Sequence, residues 1–443
     1  MGIDADYAMS RAYQAQSWPT FLVIDATGVI KFHGFDSDRN LGGVRRCLQQ
    51  ILTTTPKDPN QLLQDGIAFP ADALAARSAH RDRWPRLCIS RDGNPVIVYT
   101  SNRDGTNAVY LRRYNQSGEP AGDERLSPAG MEAYNADATL DSQGNLWVAW
   151  CGRTNRFYDI FVQSRAGSEA QTEQLSSSDD DAMSPKLATG PAGAVTVTYY
   201  KWAKMNGISR DRNIFARTVD PARHTWGLET EISPPRPEVE DHSDPDVVVD
   251  RQGAAWVVWS FDYHPSLYPK PLPAGQPTIF AARFASNTVS SPILVGASGQ
   301  YRWAIDFFPS AALDQAGKLW CAWDCSEPRR CIRLARLNDT GEGFTPVSSF
   351  GQNVTCSTPE LSVAGDALLL AWSQRAATGG QWQGKVALLK NGVPAAETML
   401  NEDKDVLFPQ AQLGSDGRYW VTFETSDAKG TKIVVRGLPG LKR

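Results

Sequence analysis

The sequence predicts a mainly β chain: a seven-bladed β-propeller of four-stranded antiparallel blades, preceded by a short α/β segment. Three observations carry this. A proline, a glycine eight residues on and an aromatic fourteen residues on recur together, at Pro85/Gly93/Tyr99, Pro185/Gly193/Tyr199, Pro245/Gly253/Trp259, Pro309/Gly317/Trp323 and Pro409/Gly417/Phe423. Two more copies are degenerate, one with Ala136 in place of proline before Gly144 and Trp150, the other running Pro359, Gly365, Trp372 with a shortened turn. Each copy reads as a hairpin: apolar alternation enters a turn such as DRQG, DSQG or DQAG and leaves in a strand rich in Val and Trp. The copies return at intervals of roughly fifty to sixty residues, each followed by more strand-like sequence, as radially repeated blades do. A six-bladed ring, with one hairpin misread, is the alternative.

The chain begins differently. Tyr7 to Gln16 has a helical pattern, SWPTFLVIDATGVIKFHGF makes two strands around a turn at Ala26-Thr27-Gly28, and Asn40 to Thr53 makes a second helix. Residues 1–54 form this segment, residues 55–65 are a polar, proline-bearing linker, and residues 66–443 are the propeller. Trp18-Pro19-Thr20, the strand Phe21 to Asp25, Gly28 and the helix around Val44 to Leu52 resemble the C-terminal half of thioredoxin-like proteins of the membrane-anchored, periplasmic disulfide-reductase kind. The resemblance covers about residues 5–54. It implies a cis bond at Pro19 lying against a reactive disulfide, yet the family's CxxC motif and the helix behind it would precede Tyr7. Disulfide exchange needs a thiolate with a resolving partner, and Cys47, inside the closing helix, has neither helix N-terminus nor partner. The segment as it stands is therefore redox-inactive: either its catalytic half lies upstream, or it is a relic packed on something else.

Within the propeller the repeated hairpins are the two innermost strands of each blade. Third strands follow at Val109–Tyr114, Ile160–Arg165, Ile214–Val219, Ile279–Phe284, Cys331–Leu337, Lys385–Lys390 and Lys432–Arg436, and outer strands near Glu124, Glu173, Thr230, Ile293, Thr345 and Glu397. The seventh blade lacks a fourth strand. Gly66 to Ala75 is the candidate to supply it and close the ring.

The DxxG turns lie on one face and are short and alike, as scaffold turns are. The opposite face collects the long second-to-third connections, including Lys201–Asn213 and Phe261–Thr278, and the crossings between blades. Those crossings carry Arg83 and Trp84, Glu132 and Tyr134, Asp179 to Asp181, Glu240, Asp241, His242 and Asp244, Arg302, Trp303 and Asp306, and Asp405. Each leads into an innermost strand, so these side chains converge at the mouth of the central channel. Aromatic faces stack on sugars or peptides, and charged groups give oriented hydrogen bonds. The candidate binding residues are Arg83, Trp84, Glu132, Tyr134, Asp181, Asp241, His242, Asp244, Arg302, Trp303 and Asp306; solvated loop charges and inter-blade ion pairs are the plain alternative. Arg103, Arg153 and Arg375 recur three or four residues after the strand aromatic, which reads as architecture.

The repeats look like those of sialidase-like and TolB-like bacterial propellers. The Asp box SxDxGxTW of sialidases is absent, and D-x-x-G-x-x-W (Asp141 to Trp147, Asp250 to Trp256, Asp314 to Trp320) lies instead between first and second strands. By resemblance the protein works outside the cytoplasm. A net charge of -4 argues against a nucleic-acid partner, and no eighteen-residue apolar run is present to span a bilayer. Cys47, Cys88, Cys151, Cys321, Cys325, Cys331 and Cys356 include no CxxC, so no zinc or dithiol site follows from spacing, although Cys325 and Cys331 flank a hairpin closely enough to bridge. Neither a cofactor nor a metal is implied.

Three functions remain open. One is a non-catalytic propeller holding a protein or glycan on its long-loop face. Another is a carbohydrate-active hydrolase or lyase using two carboxylates among Glu132, Asp181, Asp241, Asp244 and Asp306. The third is a thiol-disulfide oxidoreductase completed by an upstream half.

Overall fold

A computed structural model describes residues 20–24, 30–35 and 80–438, apart from 116–118, 155, 168, 177–180, 206–207, 221–224, 234–240, 263–276, 298–305, 326–329, 401 and 428–429. The chain falls into two compact units, Met1–Ser78 and Ala79–Arg443. In the first, Thr20–Ile24 and Ile30–Phe35 pair antiparallel with Thr20 opposite Phe35. These are the two strands read around Gly28. Both expected helices, Cys47 and the proposed closing strand Gly66–Ala75 lie outside the described residues.

The second unit is a ring of seven blades, not six. Blade 1 is Asp82–Ile89, Pro95–Ser101, Ala108–Tyr114 and Pro120–Arg125; blade 2 is Glu132–Leu140, Leu146–Arg153, Tyr158–Ala166 and Glu169–Gln174. Blade 3 is Ala182–Thr189, Val195–Met205 and Ile208–Asp220 with the short outer pieces Thr225–Trp226 and Thr230–Glu231. Blade 4 is Asp241–Val249, Ala255–Asp262 and Pro277–Ala285 with Thr288–Val289 and Ile293–Ala297. Blade 5 is Asp306–Leu313, Leu319–Cys325, Cys331–Leu337 and Phe344–Phe350, and blade 6 is Val354–Ala364, Ala367–Ala376, Gln383–Lys390 and Val393–Leu400. Blade 7 has three described strands, Asp405–Leu413, Tyr419–Asp427 and Gly430–Gly437. One stretch differs from the sequence reading: Lys201–Asn213, expected as a loop, continues two long strands, with Trp202 opposite Arg212 and the guanidinium 5.3 Å from the indole.

Each element of the repeat has a physical task. The aromatic is the inter-blade core: Tyr99, Trp150, Tyr199, Trp259, Trp372 and Phe423 are among the largest fully buried side chains. Hydrophobic clusters join every neighbouring pair of blades, and Leu87, Tyr99, Trp420 and Ile433 join blade 7 to blade 1, so the ring closes on packing. The turn aspartate accepts the backbone N–H groups of its own loop, as Asp141 does from Gln143 and Asn145 at 2.8 and 2.9 Å. The turn glycine takes a left-handed backbone, φ 87° at Gly144, which a side chain disfavours.

The proline marks something the sequence reading did not contain. In six blades the residue before it, and in blade 2 the residue before Ala136, has positive φ: Trp84, Asn135, Ser184, Asp244, Phe308, Thr358 and Phe408, all between 47° and 54°. The ladder of the innermost strand shifts register at each of these points, as between Arg83 and Arg86 or Tyr134 and Asp137. These are β-bulges, which bend a strand and re-aim its side chains.

Two residues beyond each bulge stand Arg86, Asp137, Lys186, Asp246, Ser310, Glu360 and Gln410, a belt around the axis. Four of them accept a backbone N–H of the following blade: Leu187 donates to Asp137 Oδ2 (2.8 Å), Ala311 to Asp246 Oδ2 (2.8 Å), Leu361 to Ser310 Oγ (2.9 Å) and Leu87 to Gln410 Oε1 (2.8 Å). The two cations have no lone pair to offer and pair with acids instead. Arg86 reaches Asp137 and, past blade 7, Glu360, each at 3.2 Å, and Lys186 lies 4.0 Å from Asp246. A contact between blades 1 and 6 crosses the channel, so the belt forms a polar floor beneath the mouth.

Candidate functional site

Above that floor, the chemistry gathers on blades 1 to 3. Trp84, at the blade 1 bulge, lies 6.1 Å from Tyr134, and Tyr134 lies edge-on to Tyr158 at 5.1 Å, so three aromatic rings form a continuous rail from blade 1 across blade 2. Strand register explains the charges beside it. Glu132 is opposite Arg153 and Arg153 opposite Tyr158, which places the three in one cross-strand row at the mouth end of blade 2. The Arg153 guanidinium pairs with Glu132 and sits 5.2 Å from the Tyr158 ring. Asp181, entering blade 3, accepts the Tyr158 backbone N–H through Oδ1 at 2.8 Å. The Glu132 charge acts on the Tyr158 side chain while Asp181 holds its backbone, so the two carboxylates address opposite ends of one tyrosine.

Burial, then the Glu132 charge, push the Tyr158 phenol up to about 12, with Arg153 opposing. Tyr158 therefore keeps its proton at neutral pH. Tyr134 is raised well above the ordinary tyrosine range, chiefly by burial. Tyr200, next along, is pushed up to about 12 by burial against the pull of Arg212, whose guanidinium lies 5.5 Å from its ring; the Asp244 charge also reaches it. The arrangement is a half-buried wall of protonated phenols and an indole, flanked by an arginine and two acids. It can stack sugar rings and donate and accept hydrogen bonds at fixed points.

The structure thus brings Trp84, Glu132, Tyr134 and Asp181 together, with the Asp244 charge felt at Tyr200. Arg83 is buried behind Trp84, its guanidinium 5.9 Å from the indole. His242 does not line the opening: it is 2% exposed, its Nδ1 accepts the Trp259 Nε1–H at 3.0 Å, and it packs on Phe261. Asp241 and Asp306 start the innermost strands of blades 4 and 5, but their side chains, and all of Arg302, Trp303, Asp179, Asp180 and Glu240, lie outside the described residues. Asp405 serves a loop, accepting the Trp382 N–H at 2.8 Å. Of the recurring arginines, Arg103 donates to the Tyr99 hydroxyl at 2.7 Å and to Asp82 at 3.1 Å within blade 1, and Arg375 lies 4.7 Å from the Trp382 ring, both structural. Arg153 is the exception. Tyr158 and Tyr200 were not singled out by sequence; the signal for Tyr158 is its place opposite Arg153, which needs the hairpin register. Among the described residues, no group of three or more His, Cys, Asp or Glu is placed to hold a metal ion.

No protein-family model and no curated protein matches the chain. Among solved structures it is similar to the polysaccharide lyase Uly1, with TM-score 0.52 and 9% identity over 80% of this chain and 89% of that one. It is also similar to an ulvan lyase bound to a GlcA–Rha3S saccharide (0.48, 13%, 70% and 79%) and to a protein of unknown function from Dyadobacter fermentans (0.48, 13%, 81% and 94%). The likeness is one of fold. It extends to the propeller and gives no support to the thioredoxin-like or TolB-like resemblance.

Proposed function

We propose that the protein is a carbohydrate-active enzyme that binds and cleaves a polysaccharide at the mouth of the propeller. The observation that carries this is the Trp84–Tyr134–Tyr158 rail with Glu132, Arg153 and Asp181 around Tyr158. Rings of an extended glycan stack on the rail, and Arg153 and the acids fix one sugar over Tyr158. Tyr158, protonated and held by Asp181 at its backbone N–H, then delivers a proton to the leaving oxygen, and the carboxylates receive protons from substrate or water. A hydrolase of this kind works with two carboxyls held apart across the scissile bond; a lyase needs a proton donor and a cation opposite a uronate, the parts that Tyr158 and Arg153 supply. Polymeric glycans are met outside the cytoplasm, where we place the protein. No helix among the described residues is long and apolar enough to cross a membrane.

The test is incubation with a panel of neutral and uronate-containing polysaccharides. New reducing ends with ultraviolet absorbance from an unsaturated sugar mean elimination; reducing ends without it mean hydrolysis. Tyr158→Phe and Asp181→Asn should each lower the rate at least a hundredfold, the scale of a lost acid–base group, with glycan retention kept. If polysaccharide is retained but never cut, the non-catalytic binding reading replaces this one. Cleavage that survives Tyr158→Phe removes the assignment of the site.

A further inference from the structure

The six described cysteines are all buried and none is in a disulfide, but two of them face each other. Cys325 ends the second strand of blade 5 and Cys331 begins the third, and the two are directly opposed in the antiparallel ladder. Opposed residues in such a pair have Cα atoms about 4.5 or 5.5 Å apart, and both values fall within the span a disulfide accepts. We infer that Cys325 and Cys331 form a reversible redox pair, closed by thiol–disulfide exchange with a small disulfide such as oxidised glutathione.

The neighbourhood assigns the roles. Cys331 is the less buried of the two, 6% exposed against 0% for Cys325, and a hydrogen bond from the Cys325 thiol, with help from Arg333 and Ser349, lowers its pKa against its burial, so Cys331 is the attacking sulfur. Its thiolate attacks one sulfur of oxidised glutathione, breaking that bond and releasing one glutathione thiolate. Cys325, deprotonated, then attacks the Cys331 sulfur of the mixed disulfide and expels the second. The two protein protons end on two glutathione thiols, and the pair is oxidised by two electrons. Cys356, on the innermost strand of blade 6, is electrostatically close to Cys331, but burial pushes its thiol up to about 12, which disfavours it as a partner.

The bond closes the end of the hairpin at the point that joins two blades. Arg330 donates to Asp324 Oδ2 at 2.7 Å and contacts Ser357 Oγ at 3.5 Å, while its carbonyl accepts the Cys356 N–H at 3.0 Å. Oxidation therefore staples the blade 5 edge of the mouth without touching the aromatic rail on blades 1 to 3.

The full chain, purified reduced, is equilibrated with oxidised glutathione, blocked with N-ethylmaleimide and mapped by mass spectrometry without reduction. The expected product is a Cys325–Cys331 crosslinked peptide that dithiothreitol reverses, formed equally in Cys356→Ser. In Cys325→Ser the same treatment should leave glutathione on Cys331. Free thiols at both positions in the wild type, a stable glutathione adduct there, or a Cys331–Cys356 link would each overturn the inference.

Discussion

Asp137 is the belt residue whose loss should be felt most. Its Oδ2 accepts the buried Leu187 N–H at 2.8 Å, and its Oδ1 lies 3.2 Å from Arg86. Asp137→Ala leaves that N–H without an acceptor, at about 1–3 kcal/mol, and deprives Arg86 of one of two acids. Breaking a buried ion pair outright costs about 3–5 kcal/mol, but Glu360 still holds Arg86 at 3.2 Å, so a total of about 3 kcal/mol is expected. Asp137→Asn keeps an acceptor for Leu187 and gives up only the charge, so it should recover about half of the loss. The measurement is the denaturant midpoint by tryptophan fluorescence, read at constant slope. Asp339→Ala serves as control: its pair with Lys318 is a surface one, with the aspartate 89% exposed, and should leave the midpoint unmoved. An alanine variant within about 0.5 kcal/mol of wild type, a surface-sized effect, or an asparagine variant no better than alanine, would refute the argument that the belt joins the blades.

The other predictions concern pH, packing and turns. Burial, opposed by Lys186, drives Asp246 up to about 6, above its unfolded value. The folded state then binds more protons between about pH 4 and 6, so stability falls as pH rises through that window, by roughly 2–3 kcal/mol in all. Asp246→Asn should flatten the dependence of Tm on pH across it, and an unchanged slope would sink the reading. Gly296→Ala places a methyl into the Trp323 indole across the blade 4 to blade 5 boundary, and should lower stability by about 1–3 kcal/mol in the same denaturation assay. Asp141→Ala removes the acceptor for two turn N–H groups and for Trp147 Nε1 (3.2 Å), at about 1–2 kcal/mol, and Asp141→Asn should restore most of it; equal losses would mean the turn does not rely on this acceptor.

The fold was legible because each repeated residue enforces a geometry on its own: glycine the left-handed turn, aspartate the turn's amides, the aromatic the inter-blade core. Third strands such as Cys331–Leu337 were legible from apolar pattern for the same reason. The bulges were not. Their left-handed residues are Trp, Asn, Ser, Asp, Phe, Thr and Phe, types with no common conformational preference, and Asn135 adopts the conformation before Ala136 rather than proline, so the blade architecture imposes it. The belt was hidden because only the whole ring puts Arg86 against Glu360. Among the candidate residues, Trp84, Glu132, Tyr134 and Asp181 lie together in the structure, but Tyr158 enters through strand register alone, and His242 is buried, a place alternation cannot give because it does not say which crossing residues turn back into the core.

Seven equivalent bulges also change what strain can mean. A bulky residue at positive φ, taken alone, suggests a functional site; repeated in every blade it is part of the architecture, and function must lie in what differs between blades at equivalent positions. Just before the bulge the residues are Arg83, Tyr134, Met183, Ser243, Phe307, Ser357 and Leu407, and opposite them stand Thr100, Cys151, Tyr200, Ser260, Asp324, Ser373 and Glu424. Blades 4 and 6 each offer two serines there, a filler suited to closing a ring. Blades 2 and 3 offer Tyr134 and Tyr200; the Tyr200 hydroxyl donates to Met183 Sδ at 3.5 Å, while that of Tyr134 adds nothing to packing that phenylalanine would do as well. A scaffold role predicts that Tyr134→Phe is silent; a glycan site predicts that it weakens retention of the polymer while the fold is untouched, and Ser357→Ala, at the equivalent place in blade 6, should leave both retention and fold unchanged.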